Sequence, residues 1–142
     1  MATPFTAMLQ TLSRQRGVTA ALVVSEQDGI VIDSNMHIGQ SGDRVAALAA
    51  SLYRKARLSA RAAGMGAVSF MQLEAPNGRL CAAGSGELVL VVVAATAVNV
   101  GLVRVDLLRA AVELAQIAKG GDDHWRNMQG IMGAFLRGRA RA

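Results

Sequence analysis

Five cations crowd into the stretch Ser41–Ala63. Arg44, Arg54, Lys55, Arg57 and Arg61 stand there against Asp43 alone, a local net charge of +4. Arg54, Arg57 and Arg61 fall three and four residues apart, the spacing that puts side chains on one side of a helix. Guanidinium forks pair with carboxylates and phosphates, so the chemistry on offer is recognition of an acidic partner group. Residues that could make or break bonds are scarce. His37 and His124 are isolated, and with the single cysteine, Cys81, they give no metal-ligand spacing. Cys81 sits between Leu80 and Ala82, the setting of a buried small hydrophobe rather than a nucleophile. Turn chemistry accounts for Asp28. The chain has no G-x-x-x-x-G-K-[ST] phosphate loop, and Gly84-Ser85-Gly86 lacks the third glycine of a dinucleotide fingerprint. The expectation is no catalytic residue, no cofactor and no metal: an interaction module, not an enzyme.

The rest of the composition narrows the class of partner. A chain of 142 residues, 52% hydrophobic and 18% charged, suits one domain with a real core. The net charge is +5, and the tail from Gly120 contributes +2 of it through Arg126, Arg137, Arg139 and Arg141 against Asp122 and Asp123. A basic helix and a basic tail suit an acidic protein, a nucleic acid or an anionic surface. Aromatics are only 4%, and no strand interleaves basic with aromatic residues, which argues against a base-stacking surface. One cysteine excludes an internal disulfide framework. The N-terminal stretch lacks the basic segment and apolar run of a signal peptide. Leu88 to Val103 covers 16 residues and contains Asn99 and Gly101, short of the roughly 20 that a membrane-spanning helix needs. The expected location is the cytoplasm.

The elements that must position the arginines can be read in order. Thr3–Gln15 reads as a helix, with Thr3 as cap, Pro4 in the first turn, Gly17 as the stop, and Phe5, Met8, Leu9 and Leu12 as its apolar stripe. Val18–Ser25 and Ile30–Ser34 read as strands joined by a tight turn at Gln27-Asp28-Gly29. After a loop at Asn35–Gln40, Ser41–Ala63 reads as a long helix capped by Ser41 and stopped by Gly64. A helical wheel places Val45, Leu48, Ala49, Leu52, Ala56, Ala60 and Ala63 on the face expected to cover a sheet. Ala47, Ala50 and Leu58 then lie among the arginines on the other face, where small residues allow another helix to approach. Ala67–Glu74, Arg79–Gly84 and the run from Glu87 read as three strands of an antiparallel meander, turning at Pro76-Asn77-Gly78 and Gly84-Ser85-Gly86. Leu88 to Ala95 is eight apolar residues without a polar break, a strand covered on both faces. Leu102–Lys119 reads as the last body helix, with Leu107, Leu108, Ala111, Val112, Leu114, Ala115 and Ala118 toward the sheet.

The tail, 120–142, reads as an amphipathic basic extension of a body at 1–119. Trp125, Met128, Ile131, Met132, Phe135 and Leu136 recur at steps of three and four behind Asp122 and Asp123. Three readings stay open for Trp125, Met128, Met132 and Phe135: docking on the body, docking in a partner groove, or lying on a membrane surface.

Several stretches resemble the Roadblock family, the dynein light chain Roadblock-type domains. They are Val18–Ser34 (V-T-A-A-L-V-V-S-E-Q-D-G-I-V-I-D-S), Val45–Leu52 (V-A-A-L-A-A-S-L), Asn77–Gly84 (N-G-R-L-C-A-A-G) and Glu87–Arg104. The resemblance covers about residues 3–119 and looks closest to bacterial stand-alone members such as gliding-motility GTPase regulators. It implies an α+β sandwich: a five-stranded antiparallel sheet with one long helix on one face and two on the other. It also implies a homodimer that pairs third strands and second helices, here through Ala47, Ala50, Ser51, Val68, Phe70 and Gln72. The helix pair would then be a platform for a small Ras-like GTPase, with Arg54, Arg57, Leu58 and Arg61 meeting the partner. Such a protein can stimulate hydrolysis without supplying a catalytic residue. Two alternatives remain: a nucleotide-independent adaptor in a motor or signalling complex, and membrane or nucleic-acid association through the basic tail.

Overall fold

The computed structural model describes residues 3–36 and 42–119. Its elements are α1 (Thr6–Ser13), β1 (Val18–Ser25), β2 (Val31–Met36), α2 (Gly42–Ala62), β3 (Met71–Ala75), β4 (Gly78–Ser85), β5 (Leu88–Ala94) and α3 (Val100–Lys119). The strands form one sheet in the order β2-β1-β5-β4-β3, and every neighbouring pair is antiparallel. This is the expected α+β sandwich. The unbroken apolar run is the central strand, β5, and its side chains alternate between two cores. Leu88, Leu90 and Val92 join Phe5 just before α1, Leu9 and Leu12 of α1, and Val103, Leu107 and Leu114 of α3. Val89 and Val91 join Ala46, Ala49, Ala50 and Tyr53 of α2. Covering on both faces is why β5 never needed a polar residue.

Several boundaries differ from the sequence reading for local reasons. Helix α1 begins at Thr6, with Phe5 rather than Thr3 at the N-cap position. The Thr3 hydroxyl instead accepts the Phe5 N–H (3.1 Å) and donates to the Asp33 carboxylate, tying the chain start to β2. β2 runs on to Met36, so Asn35 and Met36 belong to the strand rather than to a loop. Ser41, the expected cap of α2, lies outside the described residues, as do His37, His124, and Trp125, Met128, Met132 and Phe135 of the tail. α3 starts at Val100, two residues early, because the Asn99 side chain accepts the Leu102 N–H (3.2 Å) as an N-cap. Val112, expected to face the sheet, is 62% exposed, and Val103 and Ala110 take buried places on that side. The side chain of Ala118 lies outside the described residues.

Two further corrections bear on function. β3 is only Met71–Ala75, so residues 67–70 stand outside the ladder and the third strand is shorter than the eight residues expected. Helix α2 is also rotated on the sheet. Its buried side is Ala46, Ala49, Ala50 and Tyr53, while Leu48 and Leu52, expected to cover the sheet, are 58% and 38% exposed. Alanines let the helix axis lie close to the sheet, and one tyrosine fills the remaining space; bulky leucines would hold it off.

Candidate interaction surface

Helix α2 carries three distinct sides. Toward the sheet, the Tyr53 hydroxyl donates to the Val68 carbonyl (3.1 Å) and accepts the Gly84 N–H (2.9 Å). One side chain thereby fastens the helix to β4 and holds the approach to β3. Position 84 favours glycine, because a Cβ there would stand 2.5 Å from the Tyr53 oxygen and 2.6 Å from its ring, and the tyrosine would have to shift. Burial raises the Tyr53 pKa above its usual value, and the nearby Glu26 charge pushes the same way, against the Gly84 N–H and Arg57.

The second side faces the turn between β1 and β2. Arg57 clasps Glu26 through Nη2 and Nε, at 2.6 and 2.9 Å from the same carboxylate oxygen. The Glu26 side chain is buried and that of Arg57 about one-third exposed. Arg54 Nη1 donates to the Gln27 carbonyl (3.2 Å). At Gly29, whose φ of +65° already favours glycine, an added Cβ would meet the Ala47 backbone at 3.1 Å. Leu58 and Arg61 stand exposed along this flank. Arg57 is therefore committed within the fold, leaving Arg54 in part, with Arg61 and Leu58, to face outward.

The third side carries Leu48 and Leu52, with Lys55 and Ser59 beside them, all exposed. At about 100° per residue Leu48, Leu52 and Ser59 lie roughly 120° or more around the helix from Arg54 and Arg61, and Lys55 about 100° from Arg54, away from the β1–β2 turn. The sheet order puts β3 on that far side, and there β3 is an edge strand with Gln72, Leu73 and Glu74 exposed.

The six residues expected at a dimer contact separate accordingly. Ser51 and Gln72 reach solvent, Gln72 bonding to Glu74 Oε1 at 3.0 Å. Ala47 is exposed but on the hairpin flank, and Ala50 is buried against the sheet, so it cannot meet a second copy. Val68 packs under α2. Phe70 packs on the opposite core with the Arg104 guanidinium 5.3 Å above its ring. Glu26 and Tyr53, which organise the site, were not singled out from the sequence. The available signals were a carboxylate directly ending an apolar strand and a lone tyrosine in an alanine-rich helix.

Between these sides lies an open cleft of about 620 Å³, walled by Tyr53, Arg54 and Arg57 of α2, by residues 67 and 68, and by the β4–β5 turn. Its two guanidinium groups are matched by the carboxylates of Glu26 and Glu87, so it offers hydrogen bonds without a net field. Cys81 is buried in β4, and that burial raises its thiol pKa, opposed by Arg79. Among the described residues, no group of three His, Cys, Asp or Glu could hold a metal, and no helix is long and apolar enough to cross a membrane.

Comparison with known proteins places this architecture. The family model of the Roadblock/LC7 domain matches residues 5–94, from the last residue before α1 to the end of β5. An uncharacterized protein of Methanocaldococcus jannaschii is 31% identical over 107 residues, 75% of this chain and 93% of that protein. The structure of MglB from Myxococcus xanthus superposes with a TM-score of 0.74 at 22% identity, covering 83% of this chain and 97% of that one. The gliding protein MglB from Thermus thermophilus gives 0.72 at 20% identity, covering 85% and 95%. At these identities the two solved structures speak to the fold. With the family model spanning most of the body, the chain belongs to the Roadblock/LC7 domain family.

Proposed function

We propose that this chain is a cytoplasmic, non-enzymatic homodimer that regulates or scaffolds a small Ras-like GTPase. The observation that carries the reading is the division of α2 into two outward flanks. One exposes Leu48 and Leu52 beside the edge of β3 that pairs with no other strand among the described residues, and the other exposes Leu58 and Arg61 beside Arg54. An unpaired edge and adjacent bare leucines favour association with a second copy. Two-fold symmetry then sets two α2 helices side by side, with their arginine flanks outward to meet acidic groups on a partner. The resemblance of Val18–Ser34, Val45–Leu52, Asn77–Gly84 and Glu87–Arg104 to gliding-motility GTPase regulators supports the choice of a GTPase over other acidic partners. The engagement of Arg57 by Glu26 favours regulation by binding and positioning over an arginine supplied to the phosphates.

The test is charge reversal at Arg54 and Arg61 together, Arg57 being left in place because its loss would strand Glu26. The expected result is loss of a GTPase that the unaltered protein retains, with the dimer intact. Undiminished retention by Arg54→Glu, Arg61→Glu protein refutes the assignment of this flank.

A further inference from the structure

We propose that residues 67–70 have two courses, the one seen here and a continuation of β3 along β4, with the Tyr53 hydroxyl as the latch between them. Opening the latch lengthens the edge with which a second copy would pair. That consequence rests on the dimer reading above; the latch itself does not. The hairpin turns fix which way Gly84 points. β3 and β4 close on the pair Ala75–Gly78, and β4 and β5 on Ser85–Leu88, each across two residues. Such a closing pair exchanges both of its backbone hydrogen bonds, and bonded pairs then recur at every second position. Gly78, Leu80, Ala82 and Gly84 therefore aim their N–H and C=O groups at β3, and Ser85 aims at β5. The register of Met71 with Ala82 makes Ser69 the next partner, opposite Gly84. Instead the Gly84 N–H goes to the Tyr53 hydroxyl (2.9 Å), which donates in turn to the Val68 carbonyl (3.1 Å). A side-chain oxygen stands where the Ser69 carbonyl belongs.

Side-chain directions carry the same break. Met71 packs on the α2 side of the sheet and Phe70 on the α1–α3 side, as neighbours in a strand must. Val68 should follow Phe70, yet it packs on the α2 side. The chain is turned over between these two residues, a slip of one position, and β3 begins only at Met71. Among the described residues, no backbone–backbone hydrogen bond holds 67–70 on this course. The approach, residues 64–67, is exposed throughout. What holds the segment is the Tyr53 bond and the packing of Val68. On the other course Ala67 and Ser69, both small, face α2 beside Gly84 and the Tyr53 ring. Val68 joins Phe70 on the far side, and Ser69 exchanges two backbone bonds with Gly84. In a continued β3 the N–H and C=O of Val68 turn away from β4 toward the outer edge. A second copy's strand on that edge would need the carbonyl that Tyr53 now occupies. Seating of that strand and release of Tyr53 are therefore linked, each favouring the other.

Amide hydrogen exchange reads the latch residue by residue in the full chain. In the Leu48→Asp, Leu52→Asp protein, expected to stay monomeric, the Ser69 amide should exchange fast and the Gly84 amide slowly. Tyr53→Phe in that background keeps the ring and removes the hydroxyl. The Ser69 amide should then slow on the order of tenfold while Gly84 stays protected, because the two bond to each other. With both leucines in place, Tyr53→Phe should tighten self-association about tenfold, the worth of a modest net hydrogen bond lifted from each of two chains. Sedimentation over a concentration series measures it. Ser69→Pro removes the N–H that a continued β3 must donate, so it should weaken self-association and leave the Gly84 amide protected in the monomeric background. Three results overturn the proposal. They are a Ser69 amide already protected in the monomeric protein, Gly84 exchange made fast by Tyr53→Phe with Ser69 unchanged, and self-association indifferent to both substitutions. The second leaves the hydroxyl as a structural tie only. A chain that never self-associates refutes the dimer reading instead, and the exchange measurement still decides the latch.

Discussion

Replacing Leu48 and Leu52 by aspartate separates self-association from folding. The two side chains are 58% and 38% exposed, so together they leave about one leucine's worth of apolar surface uncovered per chain. Fully burying a leucine contributes about 1.5–3 kcal/mol, and a two-fold contact counts it twice. The pair of substitutions should therefore cost a dimer about 3–6 kcal/mol, which weakens association by about 10²- to 10⁴-fold. Desolvating the new carboxylates adds to that figure. Light scattering after size exclusion reads the outcome: twice 14.8 kDa for the unaltered protein and 14.8 kDa for the variant. Circular dichroism should be unchanged, because neither leucine belongs to either core. A variant that keeps a dimeric mass at micromolar concentration refutes the leucine flank as the contact. A monomeric unaltered protein refutes the dimer itself.

Arg57→Ala should destabilise the protein by about 1.5–3 kcal/mol in urea unfolding, below the ~3–5 kcal/mol for a fully buried broken pair because Arg57 is partly exposed. Adding Glu26→Gln should restore part of that loss, since no buried charge then lacks its partner. Gly84→Ala should cost about 1–3 kcal/mol through collision with the Tyr53 ring, and much less in a Tyr53→Leu background. Tyr53 is the sole tyrosine, so tyrosinate absorbance reports its titration directly, and it should ionise above the ordinary tyrosine value of 10.0. The neutral hydroxyl is favoured by the fold, so its contribution to stability is complete below the unfolded pKa and declines as pH rises from about 10 through the folded value. Titration at or below the ordinary value contradicts the burial and hydrogen bonding of this hydroxyl.

Legibility in the sequence followed how strongly each residue type is tied to one environment. Val89 and Val91 on one side of β5, and Leu90 and Val92 on the other, announce burial on both faces, and the central strand follows. Tight turns at Asp28-Gly29 and Asn77-Gly78 fixed the hairpins. Helix α2 was harder because alanine is neutral on a wheel. The leucines drew the expected core face toward themselves, whereas close packing on the sheet selected Ala46, Ala49 and Ala50 and left Leu48 and Leu52 outside. Residues 67–70 alternate as a strand does, yet the Val68 carbonyl is taken by Tyr53, a pairing 15 residues apart that periodicity does not encode. The arginines were visible as a cluster, but their division was not. Only the three-dimensional position of Glu26, 31 residues before Arg57, shows which of them is spent on the fold.

Recognition of a nucleotide-dependent partner by the outward flanks of α2 is tested most directly by calorimetric titration. The full chain is titrated with a Ras-like GTPase from the same organism, loaded in turn with a non-hydrolysable GTP analogue and with GDP. Binding is expected to be at least tenfold tighter (about 1.4 kcal/mol) to one nucleotide state, and to be lost on Arg54→Glu with Arg61→Glu. Equal affinity for both states, or none for either, contradicts that role.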